Sequence, residues 1–301
     1  MTGLAEVWIG TSGYVYRHWR KGVFYPAGLP VREELVYFAR WFHTVELNNP
    51  FYRLPTAEMF QRWRDSTPSD FQFAVKASRY ITHIKRLRNV ADDLALFLDR
   101  ADQLGPKLGP ILFQLPPTQQ LELGRLRAFL ALLSKTHRWV IEFRHASWHT
   151  TEVYRLLTDH GVALCIPVGG GLHPDRIATA SFTYIRMHRG QEPVGGFTDD
   201  ELVEWATQIR ALRAAGKEAY VYFNNDWEGY AIRDAMRLKE LLGSSGMCLL
   251  HPPGQLCRGL PPSRGILFSG IAERDEAYHP EAWGNPSQLH QLRILHHTAR
   301  L

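Results

Sequence analysis

Short apolar runs rich in β-branched and aromatic residues alternate along the chain with longer stretches whose apolar positions recur every three to four residues. That is the pattern of strands separated by amphipathic helices. The short runs predict strands over 7–10, 44–47, 71–75, 110–113, 139–143, 162–166, 182–187 and 219–223. The longer stretches predict helices over 32–41, 56–65, 91–104, 121–133, 151–159, 199–215 and 230–242. Thr56, the 147–151 stretch that begins at Ser147, and Thr198 with Glu201 on the next turn carry helix-start chemistry. Residues 169–177 read as an irregular or short helical crossing between the sixth and seventh strands. Eight strands with helices between them, over about 240 residues, fit a TIM-like (β/α)8 barrel. A doubly wound open sheet would favour a phosphate turn of GxGxxG spacing after the first strand, and Gly10-Thr11-Ser12-Gly13 does not supply it. Beyond 242 the periodicity breaks: 243–270 is rich in Gly, Pro and Ser, and Leu289, Leu292, Leu295 and Ala299 then recur at helical spacing. The expected organisation is a barrel domain over 1–243 and a loop-rich C-terminal extension over 244–301 ending in a helix.

Alternation along each strand sorts side chains onto two faces. Thr44, Glu46 and Asn48 share a face, as do Gln72, Ala74 and Lys76; Val140, Glu142 and Arg144; Tyr184, Arg186 and His188; and Tyr220, Tyr222 and Asn224. The opposite faces carry Val45, Phe73, Val75, Ile141, Phe143, Ile185, Met187, Val221 and Phe223, which suit packing against helices. The mixed set should therefore point into the barrel, with its charged members at the C-terminal strand ends, where barrels build their chemistry. The plain alternative is a buried ion network that neutralises itself. Such networks seldom repay their desolvation where apolar packing is available, so both signs gathered at strand ends favour a ligand site.

Composition narrows the field. The chain has 301 residues, 45% of them hydrophobic and 22% charged, which excludes intrinsic disorder and provides a sizeable core. Lys and Arg number 35 against 30 Asp and Glu, a mild excess compatible with an anionic partner. Cys165, Cys248 and Cys257 form no CxxC pair, which argues against a disulfide framework and for a reducing compartment. The first ten residues lack a signal-peptide pattern, and no apolar run approaches the roughly 18 residues of a membrane span. A cytoplasmic protein without membrane partners is expected.

Several stretches resemble the YecE-like family, also called the domain of unknown function 72. They are Ile9-Gly10-Thr11-Ser12-Gly13, Phe24-Tyr25-Pro26, Val45-Glu46-Leu47-Asn48 with Phe51-Tyr52, and Phe73-Ala74-Val75-Lys76. They continue with Arg79, Ile81-Thr82-His83, the 111–117 stretch from Ile111 to Pro117, Glu142-Phe143-Arg144-His145 with Ser147-Trp148, and Tyr222-Phe223-Asn224-Asn225. The motifs run in order from residue 9 to about 242, and the tail beyond lies outside them. The resemblance implies a TIM-like barrel and no settled reaction. The chain departs from the family at Arg186-Met187-His188-Arg189, where Arg-Leu-His-Gly is common, and at Cys165-Ile166-Pro167-Val168, where an acidic residue is common after strand six.

The residues favour an enzyme, a hydrolase acting on a phosphate-bearing or otherwise anionic substrate at the barrel mouth. Lys76, Arg144 and Arg186 supply positive charge, Arg being suited to bidentate oxyanion recognition. Glu46 or Glu142 is the candidate general base, and His188 the general acid or base. Asn48, Gln114 and Asn224 would orient substrate, while Tyr14, Tyr52 and Trp148 offer rings for stacking. Core packing is the ordinary role of any one of these rings. Two alternatives stay open. One is a non-catalytic nucleic-acid-binding or scaffold barrel, with Arg79, His83, Lys85, Arg86 and Arg88 as its basic stripe. The other is a glycosidase using Glu46 and Glu142, which requires carboxyl groups about 5–5.5 or 6.5–9.5 Å apart. No cofactor is predicted. A divalent metal on Glu46, Glu142 and His188 is not excluded, although Lys76 and Arg144 compete for the carboxylates. Cys248, His251 and Cys257 are spaced too loosely for structural zinc. The anionic partner is a small molecule or a nucleic acid, and the oligomeric state is not legible.

Overall fold

A computed structural model of the chain describes residues 5–169, 176–192 and 195–243. Eight parallel strands form one sheet: β1 (Val7–Thr11), β2 (Thr44–Leu47), β3 (Gln72–Lys76), β4 (Leu108–Gln114), β5 (Trp139–Glu142), β6 (Ala163–Val168), β7 (Phe182–Met187) and β8 (Glu218–Phe223). Their order is β1-β8-β7-β6-β5-β4-β3-β2, so β1 and β2 are the two ends of the ladder. The ends meet through a single parallel bridge between Ser12 and Glu46, with the Gly13 N–H donating to Glu46 O at 2.8 Å. Gly10 makes this seam possible, because a Cβ there would lie 2.2 Å from Thr44 O. The result is the TIM-like barrel expected from the strand count, and the open-sheet alternative fails at this seam.

Helices cover the outside: α1 (Glu34–Phe38), α2 (Asn49–Tyr52), α3 (Ala57–Asp65), α4 (Ala91–Ala101), α5 (Leu123–Leu130), α6 (Thr151–His160), α7 (Asp199–Ala214) and α8 (Tyr230–Leu241). Local chemistry sets several boundaries. Thr198 and Glu201 close a reciprocal capping box on α7. Thr150 caps α6 by accepting from Val153 N, and Gly161, at φ 66°, stops that helix in a left-handed turn. Two sequence expectations differ from the structure. The first helix is five residues long rather than the expected 32–41. A π-helical turn, Tyr80–Ile84, precedes α4 and has no apolar period to announce it. The expected crossing over 169–177 falls largely outside the described residues, as do the extension over 244–301, Cys248, His251 and Cys257.

The two faces read from strand parity separate into two apolar clusters. Outward side chains such as Val45, Phe73, Ile141, Ile185 and Phe223 pack with the helices. Ala74, Leu112, Val140, Cys165, Tyr184, Tyr220 and Tyr222 form the inner cluster, with Trp8 against it. Trp8 stacks on Tyr220 at 6.1 Å and Tyr184 tilts onto Tyr222 at 5.2 Å, so rings fill the lower interior. Two of those phenols carry the polar layer above: Tyr222 OH lies 2.6 Å from Thr44 Oγ1, and Tyr184 OH donates to Glu46.

Candidate functional site

Parallel strands bring their C-terminal ends to one rim. Glu46, Lys76, Gln114, Glu142 and Arg186 close β2, β3, β4, β5 and β7 on their inward face, with Arg144, His188 and Asn224 just beyond β5, β7 and β8. Glu46 and Glu142 are fully buried, and Arg186 is 1% exposed. Arg186 lies between the two carboxylates: Nε and Nη2 donate to Glu46 at 3.0 and 2.8 Å, and Nη1 donates to Glu142 Oε2 at 2.9 Å. Ser12 Oγ and Tyr184 OH each donate to Glu46 at 2.7 Å, and Gln114 Nε2 donates to Glu142 at 3.1 Å. Ser12 and Tyr184 were not candidates. Tyr184 shares the inward parity of Arg186, whereas Ser12 stands in the 9–13 motif, which gives it no role of its own, and reaches Glu46 through the seam.

The ladder of charge continues outward. Arg144 Nε is 2.5 Å from Glu142 Oε1, a contact of charge in which neither atom completes an aligned hydrogen bond. Arg144 Nη2 lies 3.1 Å from His188 Nε2, and Asn224 Nδ2 is 3.1 Å from His188 Nδ1. His188 Nε2 is also 3.5 Å from Glu142 Oε1. Arg144 keeps 18% of its side chain exposed, so the ladder runs from a sealed interior to an accessible guanidinium. Lys76, buried, holds its ammonium 4.2 Å above the Phe51 ring. Asn48, just past β2, has a buried Oδ1 without a hydrogen-bond partner.

These neighbours decide protonation. Burial by itself would raise Glu46, but the charge and hydrogen bonds of Arg186, with Lys76 behind, outweigh it and hold the carboxyl below its ordinary range. Burial opposes the charge of Glu142 in the same way, and Arg144 and Arg186 together drive it well below that range. His188 moves down: burial dominates, Arg186 and Arg144 add to it, and Glu142 only partly offsets them. Both carboxylates are therefore ionised and His188 is neutral near pH 7. His83, close enough to feel Lys76, Arg79, Arg86 and Arg144, is pushed down to about 4, mostly by burial.

Each candidate thus has a place. Glu46, Lys76, Gln114, Glu142, Arg144, Arg186, His188 and Asn224 come together, and Asn48 stands beside them. Trp148 does not join: it is fully buried, stacks on Phe143 at 4.6 Å and donates Nε1–H to Gln119 O at 2.6 Å. The sequence expectation of a stacking surface there is corrected by core packing. Tyr14 is likewise tied down, its hydroxyl accepting from Trp63 Nε1 at 2.9 Å, whereas Tyr52 keeps 38% exposure. Glu46 and Glu142 do not share a metal-sized space, because the Arg186 guanidinium occupies the gap. Among the described residues no group of three or more His, Cys, Asp or Glu side chains is placed to hold a metal ion, and no helix is long and apolar enough to cross a membrane.

Comparison with known proteins agrees with this fold. The family described as "Protein of unknown function DUF72" matches residues 8–256, extending past the last motif of the sequence reading. The UPF0759 protein YecE of Escherichia coli K12 is 34% identical over 140 residues, 46% of this chain and 48% of that protein, so the match spans about half of that relative's length. The UPF0759 protein YunF of Bacillus subtilis is 26% identical over 260 residues, covering 72% of this chain and 89% of YunF. A DUF72 family protein of Thermotoga maritima has a crystal structure similar to this one, with TM-score 0.70 and 30% identity over 79% of this chain and 99% of that one. The D-psicose 3-epimerase of Clostridium cellulolyticum shares the fold alone, with TM-score 0.51 and 12% identity over 78% of this chain and 98% of that one.

Proposed function

The chain belongs to the DUF72 family, and from that premise we propose that its barrel mouth is the active site of a hydrolase for phosphate-bearing or otherwise anionic substrates. The observation that carries this reading is the 3.1 Å contact between Arg144, a partly exposed cation, and His188, a neutral imidazole. An oxyanion binder beside a proton acceptor is the pair that water attack on a phosphoester needs. Lys76, Arg144 and Arg186 exceed Glu46 and Glu142 by one formal charge, and a substrate oxyanion would balance that excess in a site of low dielectric.

In the proposed step Arg144 and Lys76 hold the phosphoryl oxygens and Asn224 fixes the His188 ring. As Arg144 turns from His188 Nε2 to the phosphoryl oxygens, that nitrogen is freed and takes a proton from the attacking water as the water oxygen bonds to phosphorus. The leaving oxygen departs with the electron pair of its broken bond and receives that proton from the imidazolium. Glu142 stabilises the imidazolium and orients Arg144, while Arg186, enclosed by carboxylates, positions Glu142 and does not touch substrate. The paired-carboxylate glycosidase reading fits the geometry poorly. A guanidinium stands between Glu46 and Glu142, and both are held ionised, which leaves no general acid.

The test is turnover of p-nitrophenyl phosphate and bis(p-nitrophenyl) phosphate by the parent and by His188→Ala. Turnover that falls by about 10²-fold or more in the variant supports the reading. Binding of the esters without turnover in the parent rejects it in favour of a non-catalytic binding barrel.

A further inference from the structure

At the rim of the mouth, the loops that follow β3 and β4 line a cleft of about 310 Å³ formed by Lys85, Arg86, Arg88, Gln119, Glu122 and Arg125, none of them part of the cluster of Glu46, Glu142, Arg144 and His188. Its charges are unevenly matched. Glu122 is shared by Arg125, in close contact, and Arg88 at 3.8 Å. Lys85 pairs with Asp93 at 2.5 Å, and Arg86 donates to the Thr118 hydroxyl at 3.3 Å. Four cations against these two carboxylates leave an excess of two positive charges.

The walls are built in advance. The Arg125 side chain is 8% exposed and Gln119 is 2% exposed. The Gln119 backbone is pinned on both sides, its N–H donating to Pro116 O at 3.0 Å and its carbonyl accepting from Trp148 Nε1 at 2.6 Å. Its side-chain amide has no hydrogen-bond partner on either the nitrogen or the oxygen. Leaving a buried amide unpaired is costly, and an oxygen-rich ligand in the cleft is a partner for its N–H. The opposite wall is held in an unusual backbone: Arg86, Leu87 and Asn89 have φ of 48°, 66° and 48°. Buried Leu87 anchors that turn and leaves Arg86 and Arg88 exposed on either side. Non-glycine residues seldom adopt this conformation, and such strain gathers where ligands are held.

We propose that this cleft binds the phosphomonoester group of a small molecule, through Arg86, Arg88, Arg125 and the Gln119 amide. The excess of two positive charges matches a monoester, which carries about −1.5 to −2 near neutrality, better than a singly charged diester. Arginine forks match the phosphate oxygens geometrically. The inference stands whether or not the mouth turns over any substrate.

Calorimetric titration of the whole protein with phenyl phosphate at low salt tests it. The parent should show a binding component that Arg144→Ala retains and the double variant Arg86→Asn/Arg88→Ala weakens by about tenfold or more. Asn is used at 86 because it tolerates left-handed backbone. Gln119→Leu, similar in size and apolar, should weaken the same component with the surface charge intact. Diphenyl phosphate should bind the cleft about tenfold more weakly than the monoester. Equal binding by parent and double variant overturns the proposal, as does loss of all binding in Arg144→Ala, which would assign the phosphate to the mouth. A short oligothymidylate without terminal phosphates that binds more tightly than phenyl phosphate, and loses binding in the double variant, overturns it in favour of a nucleic-acid backbone.

Discussion

Arg186 grips Glu46 with two nitrogens, Nε at 3.0 Å and Nη2 at 2.8 Å, and turns its third, Nη1, to Glu142 at 2.9 Å. One guanidinium thereby ties β2, β5 and β7 across the barrel and balances one of the two negative charges on a pair of carboxylates with no solvent exposure. In the proposed reaction the chemistry lies farther out, at Arg144, His188 and Lys76. In that reading Arg186 is a strut for the site rather than a hand in it.

Removing that strut while leaving its partners should be severe. Arg186→Met strands Glu46 and Glu142 in a buried space without their shared cation, a loss of about 3–5 kcal/mol. Urea denaturation of the parent and the variant measures it. Adding Glu46→Gln to Arg186→Met should recover part of the loss, because one of the stranded charges is gone. No recovery would show that the guanidinium acts by packing rather than by charge.

The barrel and the inward set were legible in the sequence because strand parity is a strict period of two, and a parallel barrel turns all such faces to one axis. Glu46, Glu142 and Arg186 followed directly from it. What parity cannot give is depth. It placed Arg144 and Arg186 together as ligand cations, whereas one is 18% exposed and the other sealed between carboxylates. Trp148 was misread for another reason: it lies on a turn after β5, where no period tells an outward ring from one folded back onto Phe143. Ser12 and Gln119 are placed by the seam and by loop packing, long-range contacts that neither strand parity nor the 9–13 motif can give.

Acid should destabilise the protein in two stages. His83 titrates at about 4 in the folded chain against about 6.5 when unfolded, so the unfolded chain takes up the proton first. Its contribution is complete above pH 6.5 and is lost as pH falls towards 4. The depressed carboxyls of Glu46 and Glu142 add stability that is complete above an unfolded value of about 4.3 and is lost as pH falls through their lower folded values. Melting temperatures of parent and His83→Gln across pH 7 to 3.5 should diverge between 6.5 and 4, the parent losing more. Parallel curves through that window would show that His83 is not desolvated in solution.

The seam between β1 and β2 should be sensitive to a single methyl group. Gly10→Ala places a Cβ 2.2 Å from Thr44 O, a backbone atom that cannot rotate away. The strands must part, which costs about 1–3 kcal/mol or more and disturbs the adjoining Ser12–Glu46 bridge. The variant should melt earlier than the parent, and the Gly13 amide, which donates to Glu46 O across the seam, should exchange with deuterium faster. Unchanged exchange would place the strain elsewhere.

Trp148 provides a control that separates fold from site. Buried against Phe143 and hydrogen-bonded to Gln119 O, it should respond to Trp148→Phe with a loss of about 1–3 kcal/mol from the missing ring and N–H partner. Phosphoester turnover by the folded fraction should stay close to the parent's. A selective loss of turnover without loss of melting temperature would return Trp148 to the candidate site.

Arg144 and His188 touch each other, yet their removal should be told apart kinetically. Arg144→Ala deletes a ground-state contact to the oxyanion and also frees Glu142 to repel it, so KM for p-nitrophenyl phosphate should rise about tenfold or more. His188→Ala deletes the proton acceptor, so kcat should fall by about 10²-fold or more with KM little changed. The pH dependence supplies an independent check. Burial and the neighbouring arginines lower the proton affinity of His188, so the basic form needed for attack persists below pH 6.5. In the parent, kcat/KM should therefore fall on the acid side only below that value, while His188→Ala should lose this limb. A limb retained in the variant would assign the proton transfer to another group, and equal effects of both variants on kcat alone would remove Arg144 from substrate binding.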